Sequence, residues 1–313
     1  MNPFISICIP AYKRVRYLKR LLDSIASQTY TGFEIIISDD SDDDSVDKLV
    51  QIYSTQLTIR YFRNSPSLGT PANWNFAISK ATGEWIKLMH DDDWFASPGS
   101  LSTFVTRAGA GKAKFIFSDY ANHYESSGTI KPMKFPFSWR KRILKSPVTL
   151  LANNVIGPPS VTMVHKSVSE KYDERMKWRV DLDFYIRVLY EEHSFVHINE
   201  LLVNVGVNDT QVTNECINVP SVELPEGFLL ISKYGTRALR NIRVYDAWWR
   251  LLRNMHITNK DQLSQAGQTG WAPVILSIVT HQSRCPRFLL NSGITSKFAM
   301  FCSWFINSVN SNL

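Results

Sequence analysis

The 313-residue chain has only four cysteines, Cys8, Cys216, Cys285 and Cys302, and their spacing makes no zinc pattern. Nothing suggests a disulfide framework, so the expected compartment is a reducing cytoplasm. No stretch reaches the ~18 uninterrupted apolar residues of a membrane span. The nearest approaches are residues 271–280 and 298–309, with Arg284, Arg287 and Lys297 between them. That mixture suits either a membrane interface or ordinary core helices. The start, MNPFISICIP, lacks the basic region and long apolar run of a secretion signal. The sequence also holds no GxGxxG, no GxxxxGK, no GxSxG and no HExxH. Dinucleotide-cofactor, P-loop, serine-hydrolase and zinc-protease chemistries lose their usual signatures with them. Low-complexity tracts and internal repeats are missing too, and 44% hydrophobic with 20% charged residues describes an ordinary folded chain.

What is present is a net charge of +7, which favours an anionic partner such as a nucleotide phosphate or an anionic lipid surface. The densest basic clusters are Arg140, Lys141, Arg142 and Lys145, then Arg237, Arg240 and Arg243. Each reads equally as a solvated face, and no nucleic-acid-binding module accompanies them, so no nucleic-acid partner is expected.

Strand and helix signals alternate over the first ~120 residues. FISICI (4–9), FEIIIS (33–38), LTIRYF (57–62), EWIKLM (84–89) and AKFIFS (113–118) read as strands. Between them Leu18, Leu21, Leu22 and Ile25, then Val46, Leu49 and Val50, then Trp74, Ala77, Ile78 and Ala81 follow helical spacing. Strands separated by helices of this length predict βαβ units, hence an α/β fold on a mostly parallel sheet. Further on, a hairpin is expected around Ser126-Ser127-Gly128, a basic Pro-containing loop over 131–147, and a helix over 180–191. From about residue 220 the pattern is helical, which sets an expected boundary between residues 1–219 and 220–313.

Ligands of such sheets gather outside the carboxyl ends of the strands. Two acidic clusters fall there: Asp39 to Asp44 after the second strand, His90-Asp91-Asp92-Asp93 after the fourth. Three adjacent carboxylates repel one another and are held together by a compensating partner, for which Mg²⁺ or Mn²⁺ with substrate phosphates is the common choice. A solvated acidic turn at a helix start is the plainer alternative. Asp42 to Asp44 read as helix-capping residues, whereas Asp39 and Asp40 can accept a nucleobase N–H. Asp181 opens the 180–191 helix, either as a partner of the helix dipole or as a general base.

ISICIPAYKR, IIISDDSDDDS and ATGEWIKLMHDDDW, in that order and spacing, resemble the family 2 glycosyltransferases of the GT-A fold, over roughly residues 4–215. The resemblance implies a GT-A sheet flanked by helices with a helical C-terminal appendage. It implies inverting transfer from a nucleotide-sugar to a hydroxyl of a glycan or lipid-linked acceptor. Pro10, Ala11 and Tyr12 would lie along the nucleotide, Asp40 with Asp39 would hold the base, and Asn75 and Asp91 join the donor-binding candidates. Asp92, with Asp93, would bind Mn²⁺ or Mg²⁺, and Asp181 would be the catalytic base, with Arg187 closing its segment. A UDP-sugar is the preferred donor, since a carboxylate suits uracil N3–H. Residues 220–313 would be membrane- or acceptor-associated, with peripheral contact at the inner membrane face.

Three positions depart from the family pattern: His90 replaces the first acid of the metal motif, Val180 replaces a Glu, and Asn208 replaces a His. They leave two alternatives open, a catalytically inactive nucleotide- or glycan-binding homologue and a nucleotidyltransferase. Against the latter, the loop PAYKRVRY after the first strand has no glycine.

Overall fold

The computed structural model describes residues 4–208, 215–265 and 269–310. Chain contacts divide it into two compact units that interleave in sequence. The first comprises Met1–Arg140, Val155–Glu174 and Asp183–Thr210; the second comprises Lys141–Asn154, Arg175–Leu182 and Gln211–Leu313.

The first unit opens as the sequence predicts, with β1 (Ile5–Ala11), α1 (Val15–Ala26), β2 (Phe33–Asp39), α2 (Ser45–Tyr53), β3 (Ile59–Arg63), α3 (Ala72–Ser79) and β4 (Trp85–Leu88). The runs of β1, β2 and β4 are largely buried on both faces, whereas β3 at the sheet edge is only half-buried; they pair in parallel, β3 to β2, β2 to β1 and β1 to β4. Helix α1 closes one face of the sheet with Leu18, Leu21, Leu22 and Ile25, all buried at helical spacing.

Beyond β4 the sheet changes direction. It continues through β5 (Trp94–Phe95), α4 (Ser100–Ala110), β6 (Phe115–Tyr124), β7 (Ile130–Met133), α5 (Phe137–Lys145), β8 (Thr162–His165), α6 (Val180–Glu192) and β9 (Val196–Val207). The nine strands run in the order β3-β2-β1-β4-β8-β6-β9-β5, with β7 paired to β6. Strand β8 is antiparallel to both β4 and β6, and β6 and β9 are parallel. The expected hairpin is the β6–β7 pair, with His123 opposite Ile130.

One expectation is corrected. Residues 131–147 are not a loop: β7 ends in them and Phe137–Lys145 is helical. Pro136 and Pro147 bracket that helix, where their fixed φ and missing N–H do no harm.

The second unit carries α7 (Pro220–Tyr234), α8 (Ile242–Asn254), α9 (Lys260–Gln265), α10 (Pro273–Ser283), α11 (Arg287–Asn291) and α12 (Gly293–Val309). Among the described residues, no helix is long and apolar enough to cross a membrane.

Candidate active site

Parallel pairing puts the ends of β1 and β2 side by side. Ala11 is in register with Asp39, and the Asp40 N–H donates to the Ala11 carbonyl at 3.0 Å. Pro10, Ala11, Asp39 and Asp40 are therefore one buried ledge at the carboxyl edge of the sheet, while Tyr12 stands exposed beyond it. Asp39 accepts from the Ser41 N–H at 2.9 Å and from the Tyr61 hydroxyl at 2.8 Å. Asp40 accepts from Asn64 Nδ2 at 2.8 Å, the Leu68 N–H at 3.1 Å and the Gly69 N–H at 2.8 Å. A carboxylate has about four acceptor positions, and Asp40 uses three of them to moor the 64–69 loop. Asn75 turns instead to Tyr172, donating to its carbonyl at 2.9 Å and accepting from its N–H at 3.0 Å.

The capping expected of Asp42 to Asp44 is only partly seen. Asp43 accepts from the Ser45 N–H at 2.9 Å, whereas Asp44 makes no side-chain cap and pairs with Lys48 at 2.9 Å. Lys13 takes a left-handed backbone (φ 60°), fixed by its N–H on Ser41 Oγ at 2.8 Å. That turn sends Arg14 back over the second acidic cluster.

There Asp91, Asp92 and Asp93 are all buried. Arg14 grips Asp91 through Nε (3.2 Å) and Nη2, and reaches Asp92 through Nη1 at 3.0 Å. Asn208 Nδ2 lies 3.4 Å from the same Asp92 oxygen, and Arg20 donates to the Asp92 carbonyl at 2.8 Å. Asp93 accepts the Gly206 N–H at 3.1 Å. Gly206 has to be glycine, because a Cβ there would sit 2.5 Å from the Asp92 carbonyl oxygen. Burial pushes Asp91 up to about 7 against the pull of Arg14, and raises Asp93 well above the usual carboxylate range, with Asp92 adding to it. Beneath them Lys87 is fully buried, and burial lowers it to about 7.

His90, Asp92 and Asp93 each present one ligand atom, and these lie within 4.8 Å of one another. His90 Nε2 is buried with no hydrogen-bond partner. Burial also holds its imidazole down near 4, so it is neutral and able to ligate. A neutral imidazole clustered with two carboxylates fits a divalent cation. The sequence marked Asp92 and Asp93; His90 reads there as a loss, but it lies with them as a third candidate donor.

Asp181 belongs to the second unit. Its carboxylate accepts from Asn154 Nδ2 at 2.6 Å and from the Leu182 N–H at 2.8 Å. Burial raises it from 3.8 to about 7, with the nearby Glu226 charge adding to the rise. Glu226 itself caps the preceding segment, accepting the N–H groups of Lys177 (2.6 Å), Trp178 (2.9 Å) and Arg179 (2.6 Å). Arg179 is further pinned to Glu223 at 2.9 Å. Val180 contributes a buried apolar side chain where the resemblance led one to expect a Glu. Sequence reading missed Arg14, although it closes the ISICIPAYKR motif, and Asn154 and Glu226, which lie in no motif. Residues 209–214, beyond Asn208, lie outside the described residues.

Comparison with known proteins agrees with this architecture. The family model for glycosyl transferase family 2 matches residues 6–173. The candidate colanic acid biosynthesis glycosyl transferase WcaA of Escherichia coli is 29% identical over 225 residues, 68% of this chain and 76% of that protein. The GalNAc(5)-diNAcBac-PP-undecaprenol beta-1,3-glucosyltransferase of Campylobacter jejuni is 34% identical over 113 residues, 36% of each chain. In fold, the chain is similar to S. aureus TarS 1–349 solved with UDP-GlcNAc (TM-score 0.56, 16% identity, 96% of this chain and 79% of that one). It is similar too to the mannosyltransferase PcManGT of Pyrobaculum calidifontis, solved with GDP-Man and Mn²⁺ (TM-score 0.58, 13% identity, 100% and 87%).

Proposed function

The chain belongs to glycosyl transferase family 2, and on that premise we propose that it moves a sugar from a nucleoside-diphosphate donor, a UDP-sugar by preference, to an acceptor hydroxyl with inversion. The observation that carries the reading is the convergence of His90, Asp92 and Asp93 beside the ledge of Pro10 to Asp40. The acceptor is a glycan or lipid-linked oligosaccharide of surface-polysaccharide synthesis, met by peripheral contact at the inner membrane face. WcaA and the undecaprenol-linked glucosyltransferase support that class by their names. TarS with UDP-GlcNAc supports the UDP preference, and PcManGT with GDP-Man keeps GDP in contention. In this reading residues 1–219 bind donor and do the chemistry, and the helical 220–313 region serves the acceptor or membrane.

The remaining acceptor position on Asp40 takes the base N–H, and the backbone of Pro10 to Tyr12 lies along the nucleotide. His90, Asp92 and Asp93 would hold Mn²⁺ or Mg²⁺, which when bound supplies positive charge to the diphosphate leaving group. PcManGT with Mn²⁺ supports a divalent ion. Asp181 is the base: it takes the acceptor hydroxyl proton as that oxygen bonds to the anomeric carbon. The bond from that carbon to the phosphate oxygen breaks on the opposite face, and its electron pair leaves with the nucleoside diphosphate. A carboxyl poised near 7 is matched to this work at neutral pH.

The test is thermal stability against UDP, GDP, dTDP and CDP, each with Mn²⁺ and with chelator. A cation-dependent rise with UDP that is absent in Asp92→Asn is expected, amounting to about 2.7 kcal/mol at about a hundredfold excess over Kd. No shift with any nucleotide overturns the donor reading. Hydrolysis of the donor without acceptor separates an active enzyme from an inactive homologue.

A further inference from the structure

Helix α12 is built inside out. The side it turns inward is polar: Ser296, Ser303 and Asn307 are buried with Met300. Each polar group is used. Ser296 Oγ accepts from Trp249 Nε1 at 3.1 Å, Ser303 Oγ lies 2.6 Å from both the Tyr245 hydroxyl and His281 Nδ1, and Asn307 Nδ2 donates to the Tyr245 hydroxyl at 2.8 Å. The opposite side carries Ile294 (86% exposed), Phe298 (69%), Phe301 (47%), Phe305 (56%) and Val309 (65%). Their spacing of i, i+4, i+7, i+11 and i+15 confines them to an arc of about 80° at 100° per residue. Phe288, 73% exposed on α11, adds a further aromatic.

An ordinary surface helix does the reverse, apolar side in and polar side out. Here hydrogen bonds hold the helix in place and its apolar stripe is left for something else. Exposed apolar patches of this kind mark interaction surfaces. The charge around it says which. From residue 262 to the last residue the sequence has no Asp or Glu, but it has Arg284, Arg287 and Lys297, all exposed. Lys297 lies one residue before Phe298, on the flank of the stripe. A second copy docking by two-fold symmetry would set these cations against themselves with no acid to pair them. A bilayer surface bearing anionic headgroups pairs them all and takes the phenylalanines into its acyl boundary.

We propose that the Ile294–Val309 face of α12, with Phe288 and the three cations, is a docking surface for an anionic lipid membrane, on which the chain lies without crossing. It deepens the reading of an acceptor presented at a membrane and rests on that reading for its purpose, but not for its test.

The test is flotation of the full chain with vesicles of phosphatidylcholine alone and of phosphatidylcholine with phosphatidylglycerol, at low and high salt. The chain should float with the anionic vesicles and be released by salt. The triple variant F298S/F301S/F305S should lose at least about tenfold in vesicle affinity, and R284Q/R287Q/K297Q should lose the preference for phosphatidylglycerol. Both variants change only exposed or half-exposed side chains, so circular dichroism and Tm should match the parent. Failure of the parent to float, or a phenylalanine variant that floats undiminished, overturns the proposal. So does a dimer in light scattering that the phenylalanine variant converts to monomer without any effect on flotation. The nucleotide shift, read on the same preparations, keeps the two ideas apart. A shift without flotation sinks only the membrane surface, and flotation without a shift sinks only the donor reading.

Discussion

Replacing Asp181 by Asn should make the protein more stable at alkaline pH while removing transfer. The Asp181 carboxyl sits near 7 in the folded chain against 3.8 unperturbed. Between those values the folded state holds a proton that the unfolded state has released. Stability therefore falls as pH rises through the window, by about 1.4 kcal/mol per pH unit. The full window amounts to about 4 kcal/mol. Asp181 is partly exposed rather than sealed, and solvent screening brings the expected loss nearer to about 2 kcal/mol. The amide does not titrate, so this component of the pH slope vanishes in the variant. Its oxygen can still accept the Leu182 N–H, and Asn154 can turn its own amide to receive the new NH₂. Other raised carboxyls, Asp91 and Asp93, are common to both proteins and cancel in the difference. Urea denaturation at about pH 5 and about pH 8 measures that difference, and turnover of a donor on the same samples measures transfer, which should drop about 10²- to 10⁴-fold. Equal pH slopes in the two proteins would refute the burial argument, and unchanged turnover would refute the base.

Glu226→Gln should lower stability by about 2 kcal/mol, read by urea denaturation, because one carboxamide oxygen cannot replace a carboxylate taking three N–H groups. It should also move the acid limb of the pH–rate profile to lower pH, since the Glu226 charge helps to raise Asp181; an unmoved limb would leave Glu226 purely structural. His90→Gln should weaken Mn²⁺ binding about 10- to 100-fold, measured from the spin-resonance signal of free Mn²⁺. His90→Asp should restore binding with a preference turned towards Mg²⁺, because carboxylate suits the harder ion. Arg14→Met should cost about 3 kcal/mol in chelator by leaving buried carboxylates without their partner, and Mn²⁺ should restore part of it in a thermal melt.

The parallel half of the sheet was legible because its signals are local. Buried parallel strands are short β-branched runs, and the acids that end β2 and β4 stand next to them in sequence. The rest depends on distant pairings that leave no such mark. Strand β5 is two residues long, and β8 is recognisable only from its antiparallel partners β4 and β6. The helix at Phe137–Lys145 was hidden by the prolines flanking it. Trp248 is buried core at 5% exposure, a placement set by neighbours that the sequence does not order. Of the candidate residues, Asp40, Asp92 and Asp181 could be named, but not what each touches. Glu226 lies 45 residues beyond Asp181 and reaches its segment only through the fold.

On the proposed reading, two cations with different tenures would account for three carboxylates in a row: Arg14 and the divalent ion. Arg14 binds Asp91 through two nitrogens in the fork geometry that suits a carboxylate, and Asp91 takes a backbone hydrogen bond from Tyr12 as well. Its hold on Asp92 is a single nitrogen at 3.0 Å. The guanidinium can therefore give up Asp92 while keeping Asp91, since the planar fork on Asp91 needs no rearrangement. Asp91 is then the fixed anchor of Arg14, and Asp92 is the exchangeable group that a divalent ion can claim together with Asp93 and His90. This division also gives His90 a physical reason. With one acid of the trio committed to arginine, a neutral imidazole would complete the proposed ligand set without adding a fourth negative charge to a buried cluster whose carboxyls Asp91 and Asp93 are already pushed upward. An acid at position 90 would deepen that repulsion whenever Arg14 alone faced the cluster.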